Sequence, residues 1–286
     1  MELLKAIILG LIQGVAEFLP ISSSGHLAIF KYVLNFETET GLLFDVLLHL
    51  GTLAAVFVVF WKDIWQLIKE GCAIIGQFFK SLFGKLFGKK KWEPVVTTPY
   101  RRFVMMVIIS TIPTGIMGIL LSDLIDAASA TLIVPGILLL LNSIQLLISD
   151  RLADGKLTEA DAPYGKAAIV GVAQGVATFP GISRSGTTIT ACVACGFSRE
   201  FAVRYSFIMS IPAILGALVL ELLDFTPEAV TASDWVNYIS GTVVSAIVGY
   251  ICIKTMLVVV RGKKFKYFAY YCMAMGAFAV LFSLLA

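Results

Sequence analysis

The sequence predicts an all-α polytopic membrane protein made of two inverted-topology repeats. Each repeat is expected to hold a re-entrant helix hairpin plus three transmembrane helices, six full spans in total. Three observations predict this. The 286 residues are 58% apolar and only 14% charged, with a mean hydropathy of +0.91, whereas a soluble domain carries roughly 25% charged residues. One short stretch occurs twice, as Gln-Gly-Val-Ala-Glu-Phe-Leu-Pro-Ile-Ser-Ser-Ser-Gly-His over 13–26 and as Gln-Gly-Val-Ala-Thr-Phe-Pro-Gly-Ile-Ser-Arg-Ser-Gly-Thr over 174–187. Each copy is followed by three apolar runs, an odd number, so the second copy enters the bilayer upside down relative to the first.

The elements follow in order. Leu3–Glu17 is an apolar helix-former of 15 residues, roughly 22 Å long at 1.5 Å per residue and too short for a hydrocarbon core of about 30 Å. It stops at Leu19-Pro20 and a serine run, and Gly25–Leu34 continues as a second short apolar piece. Two half-length helices around a polar turn read as a hairpin (3–34) that enters and leaves by one face. Irregular backbone at membrane depth is tolerated only where protein or a wet cavity surrounds it. Leu42–Trp61 is the first span. Residues 73–91 interleave Phe78, Phe79, Leu82, Phe83, Leu86 and Phe87 with Lys80, Lys85 and Lys89–Lys91, the pattern of a basic amphipathic helix lying on an anionic membrane surface within a loop, 62–102. It is read as a lipid contact, not a nucleic-acid tail. Phe103–Leu121 and Leu132–Ile148 complete the first repeat, 1–150.

The second repeat, 163–286, restates the plan. Lys166–Phe179 and Thr187–Gly196 form its hairpin (165–196), and Phe201–Leu222, Val236–Val260 and Phe268–Leu284 are its spans. An offset of 161 relates Gly10 and Gly14 to Gly171 and Gly175, and an offset of 131 relates Ser110–Gly118 to Gly241–Gly249. The thirty residues lost between the two offsets match the basic loop. The whole is one integral membrane domain whose start reads as mature structure, not a signal peptide. Charges then give sidedness. Residues 62–102 carry nine Lys/Arg against three Asp/Glu, and Arg261, Lys263, Lys264 and Lys266 form a second basic segment. Glu37, Glu39, Asp123, Asp126, Glu221, Asp224, Glu228 and Asp234 lie in the loops expected opposite. The positive-inside rule puts both termini and the first hairpin's mouth outside, and the two turns should meet near the midplane. Arg204, near the cytoplasmic face, should snorkel.

Several classes of chemistry are excluded. The only histidines are His26 and His49, which rules out a His-rich metal site, and no nucleotide-binding glycine motif occurs. The five cysteines mostly sit in apolar runs and read as small packing residues.

What remains is in the turns, where the copies differ: Glu17 and His26 in one, Arg184 in the other. Ionisable groups in apolar sequence are costly and mark function. Ser23 and Ser22 precede His26 by three and four residues, on one helix face, and a serine beside a histidine base is the minimal activated nucleophile. Pro20 with its serines, and Ser183 with Ser185, mark two helix starts whose N–H groups and positive dipole ends face the turns. With Arg184 they make an anion site, phosphate being the obvious anion. Glu17 repels phosphate unless a hard cation lies between, so Mg²⁺ or Ca²⁺ is expected on Glu17 with the carbonyl oxygen of Gln13. Asp45 and His49, four apart, either face the same cavity or serve structure. The bland readings are a kinked helix, a structural histidine and a Glu–Arg salt bridge; their joint occurrence in paired copies weighs against all three.

The segments GVAEFLPISSSGH and PGISRSGTT resemble the signature of the bacterial undecaprenyl-diphosphate phosphatases of the bacitracin-resistance type, and the resemblance covers essentially the whole chain. It implies an enzyme that removes the terminal phosphate of a C55 polyprenyl diphosphate with a divalent cation. Such an enzyme works from the outer face of the bacterial cytoplasmic membrane and regenerates the lipid carrier for cell-wall precursors. The family's (Glu/Gln)-x-x-x-Glu element falls on Gln13 and Glu17, its serine-and-histidine element on Ser22, Ser23 and His26, and its arginine on Arg184. The expected catalytic set is Glu17, Ser23, His26 and Arg184. Ser23 is first choice as nucleophile, with direct attack by His26 or water left open. Ser22, Ser183, Ser185 and Thr188 should orient phosphate oxygens. The partners are the prenyl lipid and the membrane, without nucleic acid; a homodimer stays open. A second class also stays open, since broken helices meeting at mid-membrane are transporter architecture too. The other large lipid-phosphatase family is set aside because its Lys-x6-Arg-Pro and His-x3-Asp elements do not occur.

Overall fold

The computed structural model describes residues 3–33, 41–86, 94–223 and 231–285. Glu37, Glu39, Phe87, Lys89–Lys91, Asp224 and Glu228, used above for charge and amphipathicity, lie outside the described residues, as does the side chain of Glu221. The described residues form helices α1 (Leu3–Phe18), α2 (Ser23–Val33), α3 (Gly41–Val59), α4 (Trp61–Leu86), α5 (Pro99–Leu120), α6 (Ser122–Ser129), α7 (Ile133–Arg151), α8 (Tyr164–Val176), α9 (Arg184–Ala194), α10 (Arg199–Leu223), α11 (Ala232–Arg261) and α12 (Phe265–Leu285). The one β-type pairing among them is a single bridge, Leu157 with Phe197.

Local chemistry explains where several helices start. Thr98 caps α5 by accepting from the Arg101 N–H at 3.2 Å, with Pro99 in the first turn, a position that needs no donor. Thr231 and Asp234 form a reciprocal capping box at α11. The start of α12 is capped from outside: the Asp150 carboxylate accepts from the N–H groups of Phe265 and Lys266 at 3.0 and 2.8 Å.

Five helices (α5, α7, α10, α11 and α12) are long and apolar enough to cross a membrane, and they match five of the expected spans. The sixth, α3, passes that test only together with α4, to which it is bent by 85°. The elbow at Phe60 keeps its backbone bonding, since Phe60 N–H donates to Val56 and Ile64 N–H to Phe60, both at 2.9 Å. If α3 crosses, α4 therefore runs nearly along the membrane plane. The amphipathic helix expected over 73–91 in fact begins at Trp61, because Trp61, Trp65 and Ile68 extend its apolar face back to the elbow. The short α6 was not expected.

The packing exchanges partners between the halves. Helix α1 lies along α11 and α8 along α5, while α7 and α12 pair with each other. The close approaches repeat. A Cβ on Gly10 would stand 2.3 Å from the Gly241 carbonyl oxygen, and one on Gly171 would stand 2.2 Å from that of Ser110. These are equivalent positions under the 161 and 131 offsets. Small residues let such backbones meet, so each hairpin is held by the other half's span. Large apolar side chains such as Ile116, Ile144, Ile251 and Leu281 are exposed on the outside, as lipid-facing surfaces require. Arg204 is paired within the protein. It bonds Asp63 at 3.2 Å and Glu159, and lies 5.4 Å from the ring centroids of both Phe103 and Phe201; two carboxylates and two π-faces satisfy it inside the protein.

Candidate active site

The two turns touch. Gly25 of the first lies against Gly181 of the second, where an added Cβ would be 3.2 Å from the Gly181 Cα. Gly181 has φ +99° and donates its N–H to the Ser22 hydroxyl at 3.1 Å. Asn142, from α7, stitches the pair: its Nδ2 donates to the Pro20 carbonyl at 2.9 Å, and its Oδ1 accepts from Ser183 N–H at 3.2 Å. Gln145 braces that oxygen at 2.9 Å and Thr187 Oγ1 at 2.7 Å.

At this contact four side chains converge on the carboxylate of Glu17, which is 5% exposed. Arg184 Nη2 donates to Oε1. Ser23 Oγ donates to Oε2 at 2.7 Å, and Gln13 Nε2 donates to the same oxygen at 3.1 Å. His49 Nε2 stands 4.0 Å away, while its Nδ1 lies 2.8 Å from the Asp45 carbonyl oxygen. The guanidinium and the carboxylate come from positions 167 apart in the chain. A buried charge pair of this kind is poor evidence of stability by itself; its place between two helix N-termini is what makes it a candidate site.

The other expected residues are placed unevenly. Ser22 is the N-cap of α2, accepting from Gly25 N–H at 3.3 Å, and Ser183 is the N-cap of α9, accepting from Gly186 N–H at 3.1 Å. Both hydroxyls thus serve backbone as well as lining the turns. Ser185 Oγ lies 3.3 Å from Ser183 Oγ. Thr188 Oγ1 bonds the Arg184 carbonyl at 2.8 Å and Ser206 Oγ at 2.6 Å, behind the turn. Ser23 and His26, placed on one helix face by their spacing, bond different partners. Ser22 has φ +72°, so α2 begins with Ser23 aimed back at Glu17. His26, almost one turn on, bonds Tyr271 of α12 instead, at 2.8 Å.

Sequence reasoning missed Asn142, Gln145 and Tyr271. For the first two a signal existed, an amide pair inside an otherwise apolar span. Tyr271 carried none, because its partner is 245 residues away.

A hard cation can be tested against this donor set. Gln13 is fully buried, and its Oε1 has no hydrogen-bond partner among the described residues. An orphaned carbonyl oxygen beside a carboxylate suits Mg²⁺ or Ca²⁺. No group of three or more His, Cys, Asp or Glu able to hold a metal gathers among the described residues. The fit is therefore to an ion held by few protein ligands, its remaining positions filled by water and substrate phosphates, as is usual for Mg²⁺.

Residues 6–278 match the family described as bacitracin resistance protein BacA. Among similar proteins, the undecaprenyl-diphosphatase of Methanosphaera stadtmanae is 43% identical over 283 residues, 99% of each chain. That of Halothermothrix orenii is 38% identical over 98% of each chain, and that of Alkaliphilus metalliredigens is 38% identical over the full length of both. On this ground the chain belongs to the bacitracin resistance protein BacA family.

Proposed function

We propose that this protein hydrolyses undecaprenyl diphosphate to undecaprenyl phosphate and inorganic phosphate, recycling the lipid carrier of envelope polymers and conferring bacitracin resistance. The observation that carries the mechanism is the meeting of Glu17, Ser23 and Arg184 at the contact of two helix-start turns.

The prenyl tail lies between helices in the bilayer and the diphosphate enters the turns. Arg184 exchanges Glu17 for phosphate oxygens, and the N-termini of α2 and α9 face the same anion. Both stabilise charge as it spreads over the transferring phosphoryl group. Glu17 and Gln13 would hold a divalent cation, which when bound would supply positive charge that offsets the carboxylate next to the diphosphate. Ser23, released from Glu17, turns its hydroxyl along the helix face toward His26 and attacks the terminal phosphorus. His26, once its Nε2 leaves Tyr271, takes the serine proton and afterwards activates the water that releases inorganic phosphate. Ser22, Ser183 and Ser185 steady the turns around the phosphate, and Thr188 holds the Arg184 backbone from behind.

The membrane is the cytoplasmic one and the site opens to its outer face. In support, the two basic segments lie at one end of the molecule. Lys263 pairs with Asp154 at 3.1 Å and Arg261 with Glu200 at 2.9 Å, while Arg204 ties Asp63 to the linker residue Glu159. Positive charge gathered at one end marks the cytoplasmic side.

The test is phosphate release from a polyprenyl diphosphate in detergent micelles, with Ca²⁺ or Mg²⁺ present. Release that depends on Arg184 and Glu17 supports hydrolysis. A protein that moves prenyl phosphates only across sealed vesicles, and frees no phosphate in micelles, is a transporter instead.

A further inference from the structure

Helix α4 sorts its charges by side, and the mechanism above uses none of them. At 3.6 residues per turn, Trp61, Trp65, Ile68, Cys72, Ile75 and Phe79 form one exposed stripe. The acids lie on the opposite side and are bonded inside the protein. Asp63 accepts from the Tyr100 hydroxyl at 2.8 Å and from Arg204 at 3.2 Å, and Glu70 accepts from Arg101 Nε at 2.8 Å. Lys62, Lys69 and Lys80 fall about 90° round the helix from the stripe, along one edge of it. All three are exposed, and none has a carboxylate partner among the described residues. Lys69 lies over the Trp65 ring, 5.3 Å from its centroid.

Where α4 leaves α3, the same stripe closes a groove. Phe57 and Val58 of α3 with Trp61, Ile64, Trp65 and Ile68 of α4 line a space of about 670 Å³. Every lining side chain is apolar, and all but Ile64 are exposed. With α3 as the sixth span, the 85° bend lays α4 along the membrane surface, so the groove opens to the acyl chains beneath it. Tryptophans favour this depth, with one end of the ring apolar and the other wet. Lys62 and Lys69 belong to the same two turns as the lining, at headgroup level. A zwitterionic headgroup leaves their charges unanswered, whereas an anionic one meets them. We propose that this elbow is a binding site for one anionic phospholipid, an acyl chain in the groove and the phosphate beside Lys62 and Lys69. The site lies ahead of the basic stretch 73–91 and is independent of the phosphatase reading.

The test puts bromines on one lipid at a time. In the full chain carrying Trp92→Phe and Trp235→Phe, tryptophan fluorescence comes from Trp61 and Trp65 alone. That protein goes into phosphatidylcholine bilayers containing phosphatidylglycerol, with brominated chains on either the zwitterionic or the anionic lipid. Quenching per labelled lipid should favour phosphatidylglycerol about 5–30-fold, at roughly fivefold for each lysine. Lys62→Gln with Lys69→Gln should bring the two lipids within about twofold of each other. Val58→Phe with Ile68→Phe, which fills the groove and removes no charge, should lower the preference as well. Lys80→Gln, about 16 Å along the helix from Lys69, should leave it unchanged. A preference under about twofold with lysines and groove intact overturns the site before any further variant is made. An undiminished preference in the groove-filled protein overturns it too, because the lysines are then a bare charged edge. So does a Lys80→Gln effect as large as that of the double lysine variant, which would make α4 a diffuse charged surface. Quenching by neither lipid would give the groove to a second copy of the chain. Displacement by undecaprenyl phosphate, but not by an equal amount of unlabelled phosphatidylglycerol, would give it to the prenyl tail. Either result refutes the phospholipid.

Discussion

Arg184→Ala separates the two things this arginine does. In the structure its guanidinium is the cation paired with Glu17, a carboxylate that is 5% exposed, and the arginine side chain itself is 21% exposed. Removing one member of a buried pair costs about 3–5 kcal/mol. The lower end applies here, because Gln13 and Ser23 still donate to the carboxylate and water reaches the arginine side. The loss in catalysis should be larger: an arginine on a transferring phosphoryl group contributes about 10³–10⁵ in rate, or roughly 4–7 kcal/mol at 1.36 kcal/mol per tenfold. Phosphate release and thermal unfolding, measured in the same detergent, read the two effects apart. The single variant should be less stable and at least 1,000-fold slower, at the low end of the ~10³–10⁵ range. Adding Glu17→Gln should restore most of the stability by removing the stranded charge, and none of the activity. Arg184→Lys should fall between, since it keeps the charge and loses the planar fork. An Arg184→Ala enzyme within about tenfold of wild-type kcat/KM, some 1.4 kcal/mol, would refute the placement of Arg184 on the phosphate. A double variant no more stable than the single would refute the buried pair.

Chelating divalent cations should abolish turnover and Ca²⁺ or Mg²⁺ should restore it. In Glu17→Gln added cation should restore little, and a normal cation response there would move the metal away from Glu17. Gly10→Ala should destabilise the protein by about 1–3 kcal/mol through overpacking, because its methyl would meet the Gly241 carbonyl at 2.3 Å. Gly76→Ala, with nothing within 4 Å of its added Cβ, should be neutral or stabilising in the same unfolding assay. Asn142→Leu removes the bridge from Pro20 to Ser183. Each orphaned backbone group should cost about 1–3 kcal/mol, and kcat should drop with little change in binding; unchanged stability and rate would show that the turns hold their contact without it.

The meeting of the turns was legible because it is written locally and twice. The repeated Gln-Gly-Val-Ala stretch, Pro20, Ser22, Ser183 and the glycines each specify a helix stop, a cap or a close approach within a few residues. Helix spans were legible for the same reason, since length and apolarity are local quantities. What escaped depends on side chains brought together from distant positions. Ser23 and His26 share a helix face by spacing, yet the positive φ of Ser22 and the competing partners on α1 and α12 decide where each points. Asn142 was visible as a polar residue in an apolar span, but not its role as a stitch between hairpins. The elbow at Phe60 was missed because Trp61 and Trp65 belong equally to the end of a span and to the start of a surface helix. The partners of Arg204 escaped too, because its position relative to the membrane says nothing of Asp63 and Glu159 waiting beside it.

The central claim is that the diphosphate takes Arg184 from Glu17 where the two turns touch. A structure of the protein with a non-hydrolysable prenyl diphosphonate and Ca²⁺ tests it most directly. The account predicts the terminal phosphonate within about 3 Å of the Arg184 guanidinium, with cation density against Glu17 and Gln13. A headgroup bound elsewhere, or an Arg184 still paired with Glu17 while the ligand is present, contradicts it.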